Sequence, residues 1–349
     1  MNEKKSNRRH SGRPTVNDVA RLAQCSPMTV SRVVNGGSGV KPDTRLAVEA
    51  AIKELDYAPN KAARSLAGAS QIRLALLYTN PSAAYLSELL IGCMDAAART
   101  DAHLVVERCE EGMDDEKVIN RLMAGGIDGF LLPPPLCEQG PLLDLLRAKR
   151  AQAVLISPGR ADAHHGAVMI DDYQAAYDMT LHLIAQGHQN IAFVKGTATL
   201  SATALRYAGF RDAMAKEALP IDPTLVVDGL FTYRSGLDAG TELLKRADRP
   251  TAIFASNDDM AAGCIAAAHR KRLDVPGDLT VVGFDDTDIA STIWPELTTI
   301  RQPIRDMAQA GLDLLVSAIT TARISKTNKA KHLTLDYTLV QRESDQPPA

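Results

Sequence analysis

Apolar positions between Val16 and Leu55 recur at helical spacing in three short runs, which predict helices over about 16–23, 27–34 and 43–55. Ser26 before Pro27 is a helix start, a capping hydroxyl followed by the residue best suited to the first helical position. In the first two runs Val19, Ala20 and Ala23 form a small apolar face, and Val30 and Val34 answer it one turn apart. Met28, Thr29 and Arg32 are left pointing outward, so the pair has the layout of a helix-turn-helix whose second helix fits a DNA major groove. Tyr57-Ala58-Pro59-Asn60 breaks the pattern, and Lys61 to Gly68 is helix-capable but too short and polar to fold alone, which makes it a hinge. Beyond it, strand-like apolar runs at 74–78, 103–108, 129–132, 153–156, 168–170, 191–194, 225–227, 252–255 and 280–284 alternate with helical stretches such as 84–99, 173–186 and 204–218. That alternation predicts parallel sheets covered by helices on both faces, and its restart near Ile191 predicts two doubly wound lobes. Ligands of such folds sit at the carboxyl ends of the strands, here facing each other across a cleft.

Composition sharpens the division. With 349 residues, 45% of them apolar, the chain has material for two or three packed domains and is neither disordered nor fibrous. Its net charge of -3 hides an asymmetry: residues 1–70 carry 12 Lys and Arg against 6 Asp and Glu, whereas the remainder carries 27 against 36. A basic head on an acidic body predicts a polyanionic partner for the head. Residues 1–14, polar and basic, read as a disordered arm that adds attraction to phosphates, or simply as a frayed terminus. Cys25, Cys93, Cys109, Cys137 and Cys264 show no C-x-x-C spacing, which argues against a disulfide framework and a zinc site. The basic start lacks the apolar run of a secretory signal, and no stretch approaches the roughly 18 apolar residues that span a bilayer. The expectation is a cytoplasmic protein with no membrane partner, nucleoid-associated when bound to DNA.

The motifs then narrow the class. D-V-A-x-x-A at Asp18–Ala23, S-x-x-T-V-S-R-V-V-N at Ser26–Asn35 and Y-x-P-N at Tyr57–Asn60 are followed by G-H-x-x-I-A at Gly187–Ala192 and R-x-x-G-F at Arg206–Phe210. S-N-D at Ser256–Asp258, G-F-D-D at Gly283–Asp286 and L-T-T-I-x-Q-P at Leu297–Pro303 complete the series. Their ordered combination resembles the lactose-repressor/galactose-repressor (LacI/GalR) family of bacterial transcription regulators, over about residues 15–344. The resemblance implies an α/β body of two doubly wound parallel-sheet lobes, like a periplasmic binding protein, preceded by an all-α helix-turn-helix head and a hinge helix. It divides the chain into a head at 15–59, a hinge helix and linker at 60–69, a body at 70–344 and a tail at 345–349. Within the body it places one lobe at about 70–187 with 303–329 and the other at about 188–302 with 330–344.

For the head, the resemblance implies DNA contacts from Thr15, Ser26, Pro27, Met28, Thr29, Ser31, Arg32, Asn35, Tyr57, Asn60, Ala63 and Leu66. Pro27 and Met28 occupy the positions that choose bases, and they are suited to reading shape and thymine methyls rather than making bidentate hydrogen bonds. Arg32 is the candidate for a guanine contact, with a phosphate clamp as the alternative; Met28 could instead be packing. Thr29 and Ser31 bind phosphates or cap backbone groups. Gln24 stands in the turn where many relatives have glycine, at some cost in strain. In the family, paired hinge helices enter the minor groove on the operator and a leucine wedges into the central step. Leu66 holds the matching position, with Ala63 small enough for close approach. A plain apolar linker residue is the other reading of Leu66.

For the body, the resemblance makes Arg206, Asn257 and Asp285 effector contacts, with Phe231 against the ligand's apolar face or in the core. Tyr85 in the first strand-helix loop is a further candidate. Directional amide, carboxylate and guanidinium groups at strand ends suit a polyhydroxylated ring. Asp258 and Asp286 are read as helix N-terminal caps. The acidic pairs invite a metal or acid-base reading, yet no nucleotide-binding, nucleophile-elbow or zinc-protease motif accompanies them. His164, His165 and His182 lack partners at metal-ligand spacing and read as surface or helix residues. The expectation is therefore a regulator and not an enzyme, without cofactor or metal. It is a homodimeric repressor of carbohydrate-utilisation genes on a palindromic operator in double-stranded DNA, controlled by a sugar-type small-molecule effector. A purine- or nucleoside-responsive corepressed regulator, and a sugar-binding protein without regulatory role, are the alternatives.

Overall fold

The structure, a computed structural model, describes residues 14–34, 39–57, 71–109, 112, 114–324 and 329–348. The basic arm up to residue 13, Asn35, and the hinge with Asn60, Ala63 and Leu66 lie outside the described residues. The chain forms two compact units, Met1–Gln71 and Ile72–Ala349.

In the first unit three helices, α1 (Val16–Leu22), α2 (Pro27–Val34) and α3 (Pro42–Glu54), enclose a core of Val19, Ala20, Val30, Val33, Val48 and Ala51. Val33, not Val34, is the fully buried partner of Val30; Val34 lies at the rim with Tyr57 and Leu55. Three residues on from Val30 is as good a helical neighbour as four, and α3 decides which of the two is covered. The start of α1 is tied by Asp18, whose carboxylate accepts from the Thr15 N–H at 2.9 Å and hydroxyl at 2.7 Å. Ser26 caps α2 as expected, accepting from the Thr29 N–H at 3.1 Å. In the turn between them Gln24 takes the left-handed conformation, φ +50°, that glycine adopts without strain.

The second unit has two six-stranded sheets. The first lobe contains β1 (Arg73–Tyr78), α4 (Ala83–Thr100), β2 (His103–Arg108), α5 (Asp115–Ala124), β3 (Gly129–Leu132), α6 (Gly140–Ala148), β4 (Gln152–Ile156) and β5 (Gly166–Met169). The other lobe holds α7 (Asp172–Ala185), β6 (Ile191–Val194), α8 (Ser201–Lys216), β7 (Val226–Val227), α9 (Tyr233–Leu243), β8 (Ala252–Ala255) and α10 (Asp258–Arg270). It continues through β9 (Thr280–Asp285), α11 (Asp288–Thr292) and β10 (Thr298–Arg301). The chain then returns with α12 (Ile304–Ile324) and β11 (His332–Thr334) to the first lobe and ends with β12 (Thr338–Val340) in the second. The sheet orders are β11-β5-β4-β3-β1-β2 and β12-β10-β9-β8-β6-β7, and all pairs are parallel except β10 with β12. The central strands β3, β6 and β8 are buried along their whole length, as parallel strands covered on both faces must be.

Three lobe assignments change. Residues 172–185, expected in the first lobe, pack on α8: a side chain at Gly209 would strike the Tyr173 carbonyl oxygen at 2.2 Å, so glycine lets the two helices meet. The Tyr173 hydroxyl also donates to Asp212 at 3.1 Å. The crossing therefore falls at residues 170–171 rather than near Gly187. Residues 332–334, expected in the second lobe, instead extend the first sheet alongside β5, and the last crossing moves from Ala330 to 335–337. The expected tail is no tail: Ser344 and Asp345 are buried. The Ser344 hydroxyl donates to the Val281 carbonyl at 2.6 Å and accepts from the Thr298 N–H at 2.8 Å. Asp345 pairs with His182 at 2.7 Å, and the Gln346 N–H donates to the Thr280 hydroxyl at 3.2 Å. A polar strap thus fastens the starts of β9 and β10, beyond the stretch that β12 pairs.

Ser344→Ala removes both bonds and strands two buried backbone groups, so it should destabilise the full chain by about 1–3 kcal/mol. Urea unfolding followed by fluorescence of Trp294 in the same lobe is the measurement; a wild-type midpoint would show that the strap does not hold the lobe.

Candidate DNA-reading helix and ligand cleft

In the head, Pro27, Met28 and Arg32 are exposed on α2, and Met28 shows 68% of its surface. Met28 and Arg32 stand four residues apart and so share one helix face. Thr15 and Ser26 are exposed but serve as caps, whereas Thr29 shares its hydroxyl with Ser26 at 2.9 Å. Ser31 and Tyr57 are half-buried, and Tyr57 belongs to the rim of the head's core rather than to a linker. Among the described residues the exposed set on α2 is thus Pro27, Met28 and Arg32, with the half-buried Thr29 and Ser31 beside them.

In the body, one cavity of about 430 Å³ lies between the lobes, and Tyr85, Arg206, Phe231, Asn257 and Asp285 all line it. Its walls come from the carboxyl ends of strands, as the fold dictates. Thr79 and Asn80 follow β1, Pro134 follows β3 and Ser157 follows β4; across from them Thr197 follows β6, Asn257 follows β8 and Asp285 ends β9. Tyr85 is not in a loop: it lies in the first turn of α4, buried, with its hydroxyl 3.2 Å from that of Ser157. Burial holds the Tyr85 phenol well above its ordinary range, so it stays protonated.

Arg206 organises the floor. Its Nε donates to Asp172 at 2.7 Å, one terminal nitrogen donates to the Ser256 carbonyl at 2.6 Å and lies 3.8 Å from Asp285, and the guanidinium covers the Phe284 ring at 3.6 Å. Asp285 is buried with φ +115°, a backbone conformation that other aspartates rarely adopt, and it accepts from Gln302 Nε2 at 2.5 Å. Burial pushes the Asp285 carboxyl up to about 7, against the pull of Arg206 and Gln302. Phe231, half-buried and also left-handed at φ +57°, lays its ring on Gly196, where a side chain would collide at 1.9 Å. The Asn257 amide caps α10 through the Met260 N–H at 3.0 Å and donates to the Phe231 carbonyl at 3.2 Å. Thus Phe231 forms part of the wall while packing against the core of its lobe, and Asn257 holds its loop.

The acidic neighbours have other work. Asp258 is not a cap: it accepts from the Thr287 N–H at 2.9 Å and the Thr299 hydroxyl at 2.6 Å, bracing β10 against the loop after β9. Burial and the nearby Asp285 charge hold the Asp258 carboxyl well above the usual range. Asp286 is no cap either, and pairs with Arg301 at 2.5 Å and Arg342 at 2.6 Å. His165 is buried against Asp162 at 2.7 Å rather than on the surface. Among the described residues no group of three His, Cys, Asp or Glu is placed to hold a metal.

Sequence reasoning missed the bonds that join the lobes. Ser82, the cap of α4, donates to Asp259 of α10 at 2.5 Å, and the Glu138 carboxylate accepts from the Gly159 N–H at 2.7 Å and the Ser201 N–H at 2.8 Å. Residues 177 and 63 positions apart carry no pairing signal along the chain. Gln302 was visible only as part of a motif, and the structure makes it a wall of the cavity.

Residues 15–60 match the bacterial regulatory proteins of the lacI family, and residues 180–344 match the periplasmic binding protein-like domain. The ribose operon repressor of Escherichia coli (strain K12) is 34% identical over 334 residues, 95% of this chain and 99% of that protein. The chain belongs to the lacI family. As members of that family do, it joins a helix-turn-helix DNA-binding domain to an effector-binding domain and acts as a transcriptional regulator. The solved complex of the transcriptional regulator CelR with cellobiose aligns at a TM-score of 0.72 and 32% identity, over 95% of this chain and 100% of that one. The lac repressor dimer bound to operator and the anti-inducer ONPF aligns at 0.74 and 29% identity, over 95% and 99%. No described helix is long and apolar enough to cross a membrane.

Two outcomes follow. If Arg32 donates to guanine, Arg32→Ala costs about 1–3 kcal/mol and relaxes one symmetric pair of operator positions, whereas a phosphate contact weakens all sequences alike. Binding-site selection on the variant distinguishes them. For Asp285, the folded chain keeps a proton up to about pH 7 that a free aspartate releases near 3.8. The folded state therefore holds more protons in that window, and stability falls as pH rises through it. Asp285→Asn cannot ionise and should flatten this slope in urea unfolding at pH 5, 6 and 7; an unchanged slope assigns the proton elsewhere.

Proposed function

We propose that this protein is a dimeric repressor of carbohydrate-utilisation genes, released from a palindromic operator when a sugar-type effector binds between the lobes. The observation that carries the reading is the convergence of Tyr85, Arg206, Phe231, Asn257 and Asp285 on one cavity. Hydroxyl, amide and carboxylate groups are set around two aromatic side chains, a surrounding suited to a polyhydroxylated ring with an apolar face. Support also comes from the relatives: a ribose operon repressor, a regulator solved with cellobiose and a repressor dimer solved on operator DNA. Two-fold symmetry doubles the contact of a short recognition helix and accounts for the palindrome. Asn35, Asn60, Ala63 and Leu66 complete the DNA contacts in this reading, Leu66 as the minor-groove wedge. The protein works in the cytoplasm, on the nucleoid when bound to operator, and catalyses no reaction. A purine-type corepressor is the second reading, since aromatic side chains on the cavity wall suit a flat base as well.

An operator is first selected in vitro with the full chain, and a ligand is found by thermal shift, since a ligand of the folded state raises its melting temperature. Asp285→Ala then removes an acceptor from the cleft and should weaken effector binding by about 1–3 kcal/mol, tenfold to a hundredfold, with operator affinity in the absence of effector near wild type. Fluorescence anisotropy of labelled operator reads both quantities. A variant that still lets go of operator at the wild-type effector concentration removes Asp285 from the site.

A further inference from the structure

One helix of the cleft starts without a cap of its own. α8 begins at Ser201 and carries Arg206, yet the residue before it is Leu200, whose side chain has no oxygen to offer the free N–H groups of a helix start. The acceptor comes from the opposite lobe. Glu138, at the end of the short turn Leu136–Glu138 that follows β3, takes the Ser201 N–H at 2.8 Å on one carboxylate oxygen. Its other oxygen takes the N–H of Gly159, beyond β4 in its own lobe, at 2.7 Å. A carboxylate in this place also meets the positive end of the helix dipole, which makes the bond stronger than one between neutral groups.

The two lobes touch at this point. A side chain on Gly159 would stand 2.0 Å from Ser201 Cβ, so the approach requires glycine at 159. The neighbours of the contact, Leu136 and Gln139 on one side and Leu200 and Ala202 on the other, line the cavity, and the contact therefore closes its rim. Opening the cleft would leave the Ser201 N–H and the start of α8 without their acceptor, while Glu138 would keep Gly159.

We infer that Glu138 is a clasp between the lobes: anchored on Gly159, it caps α8 from across the cleft, holds the cavity shut with the protein's own groups and sets the helix that carries Arg206. It is a positioning residue, acting on the site through α8, and its role is the same whether the effector is a sugar or a purine. A ligand that binds the closed arrangement gains from the clasp, because less of its binding free energy is used in closing the lobes.

Native thiols report the opening of the cleft. Cys109 lines the cavity and is 6% exposed, whereas Cys93 and Cys264 are completely buried in the cores of the first and second lobes. The full chain is treated with iodoacetamide without ligand, and alkylation of each cysteine is followed by mass spectrometry. Glu138→Ala removes the cap. Gly159→Ala keeps the carboxylate but forces the lobes apart, so a loosened helix start cannot by itself account for an effect seen in both. In both variants Cys109 should be alkylated at least about tenfold faster than in the wild type, with Cys93 and Cys264 at their wild-type rates. A smaller acceleration in either variant overturns the clasp. So does a rise at Cys93 or Cys264 as well, which marks loosening of the whole fold rather than opening of the cleft.

Discussion

The Arg206 guanidinium is buried beneath the cleft, and an ion taken out of water must be met by charge and hydrogen bonds or the fold pays heavily. Asp172, the Ser256 carbonyl, the Phe284 face and, at longer range, Asp285 meet it. These partners come from α7, the end of β8 and β9, so one side chain ties together the helix that follows the first crossing and the two strand ends that form the floor. Removing Asp172 would leave the buried guanidinium without its nearest counter-ion.

The same constraint explains the proton on Asp285. Two buried carboxylates, Asp172 and Asp285, share one buried cation, and Asp258 sits behind them with its charge disfavoured by burial. Only one of the pair can be fully matched, and the bidding for Arg206 is won by the carboxylate 2.7 Å away rather than the one at 3.8 Å. Asp285 is thereby left closer to neutrality than an aspartate on the surface, and its backbone is held in an unfavourable region by the strand turn and by Gln302.

Set against this rigid floor, the bonds across the cleft are few and of a different kind. Ser82 with Asp259 and Glu138 with Ser201 join residues whose separation depends on how the lobes sit, while the chain itself crosses at 170–171, 302–303 and 335–337. Beside these bonds one apolar cluster runs through both lobes, from Leu76, Leu131 and Val154 to Met179, Phe193 and Phe284. A ligand shifts such a protein only by its difference in affinity between two arrangements.

How much of this was legible depended on the range of the physics involved. Local signals sufficed for the helix-turn-helix, since Ser26-Pro27 starts a helix wherever it occurs and valines at helical spacing need a covered face. They sufficed for nine strands as well, because short apolar runs, buried on both sides in the central strands and partly exposed in the edge strands β2 and β7, stand out from amphipathic helices. Arg206, Asn257 and Asp285 were reached through the family's motifs, Phe231 through its position in the same resemblance and Tyr85 as a residue following the first strand, and the rule that ligands meet strand ends explains why they share one cavity. Tertiary structure alone decided which lobe received α7 and β11. A three-residue strand carries no periodicity, and a helix declares its apolar face but not its neighbour; Gly209 made the choice by letting α8 approach. It also decided that Asp258 is a brace and Asn257 the cap, that 344–346 are a strap and not a tail, and that Gln302 holds an acceptor without a donor. These are matters of which polar groups end up buried together, and chain order does not encode them, because burial is settled only when distant segments close over one another.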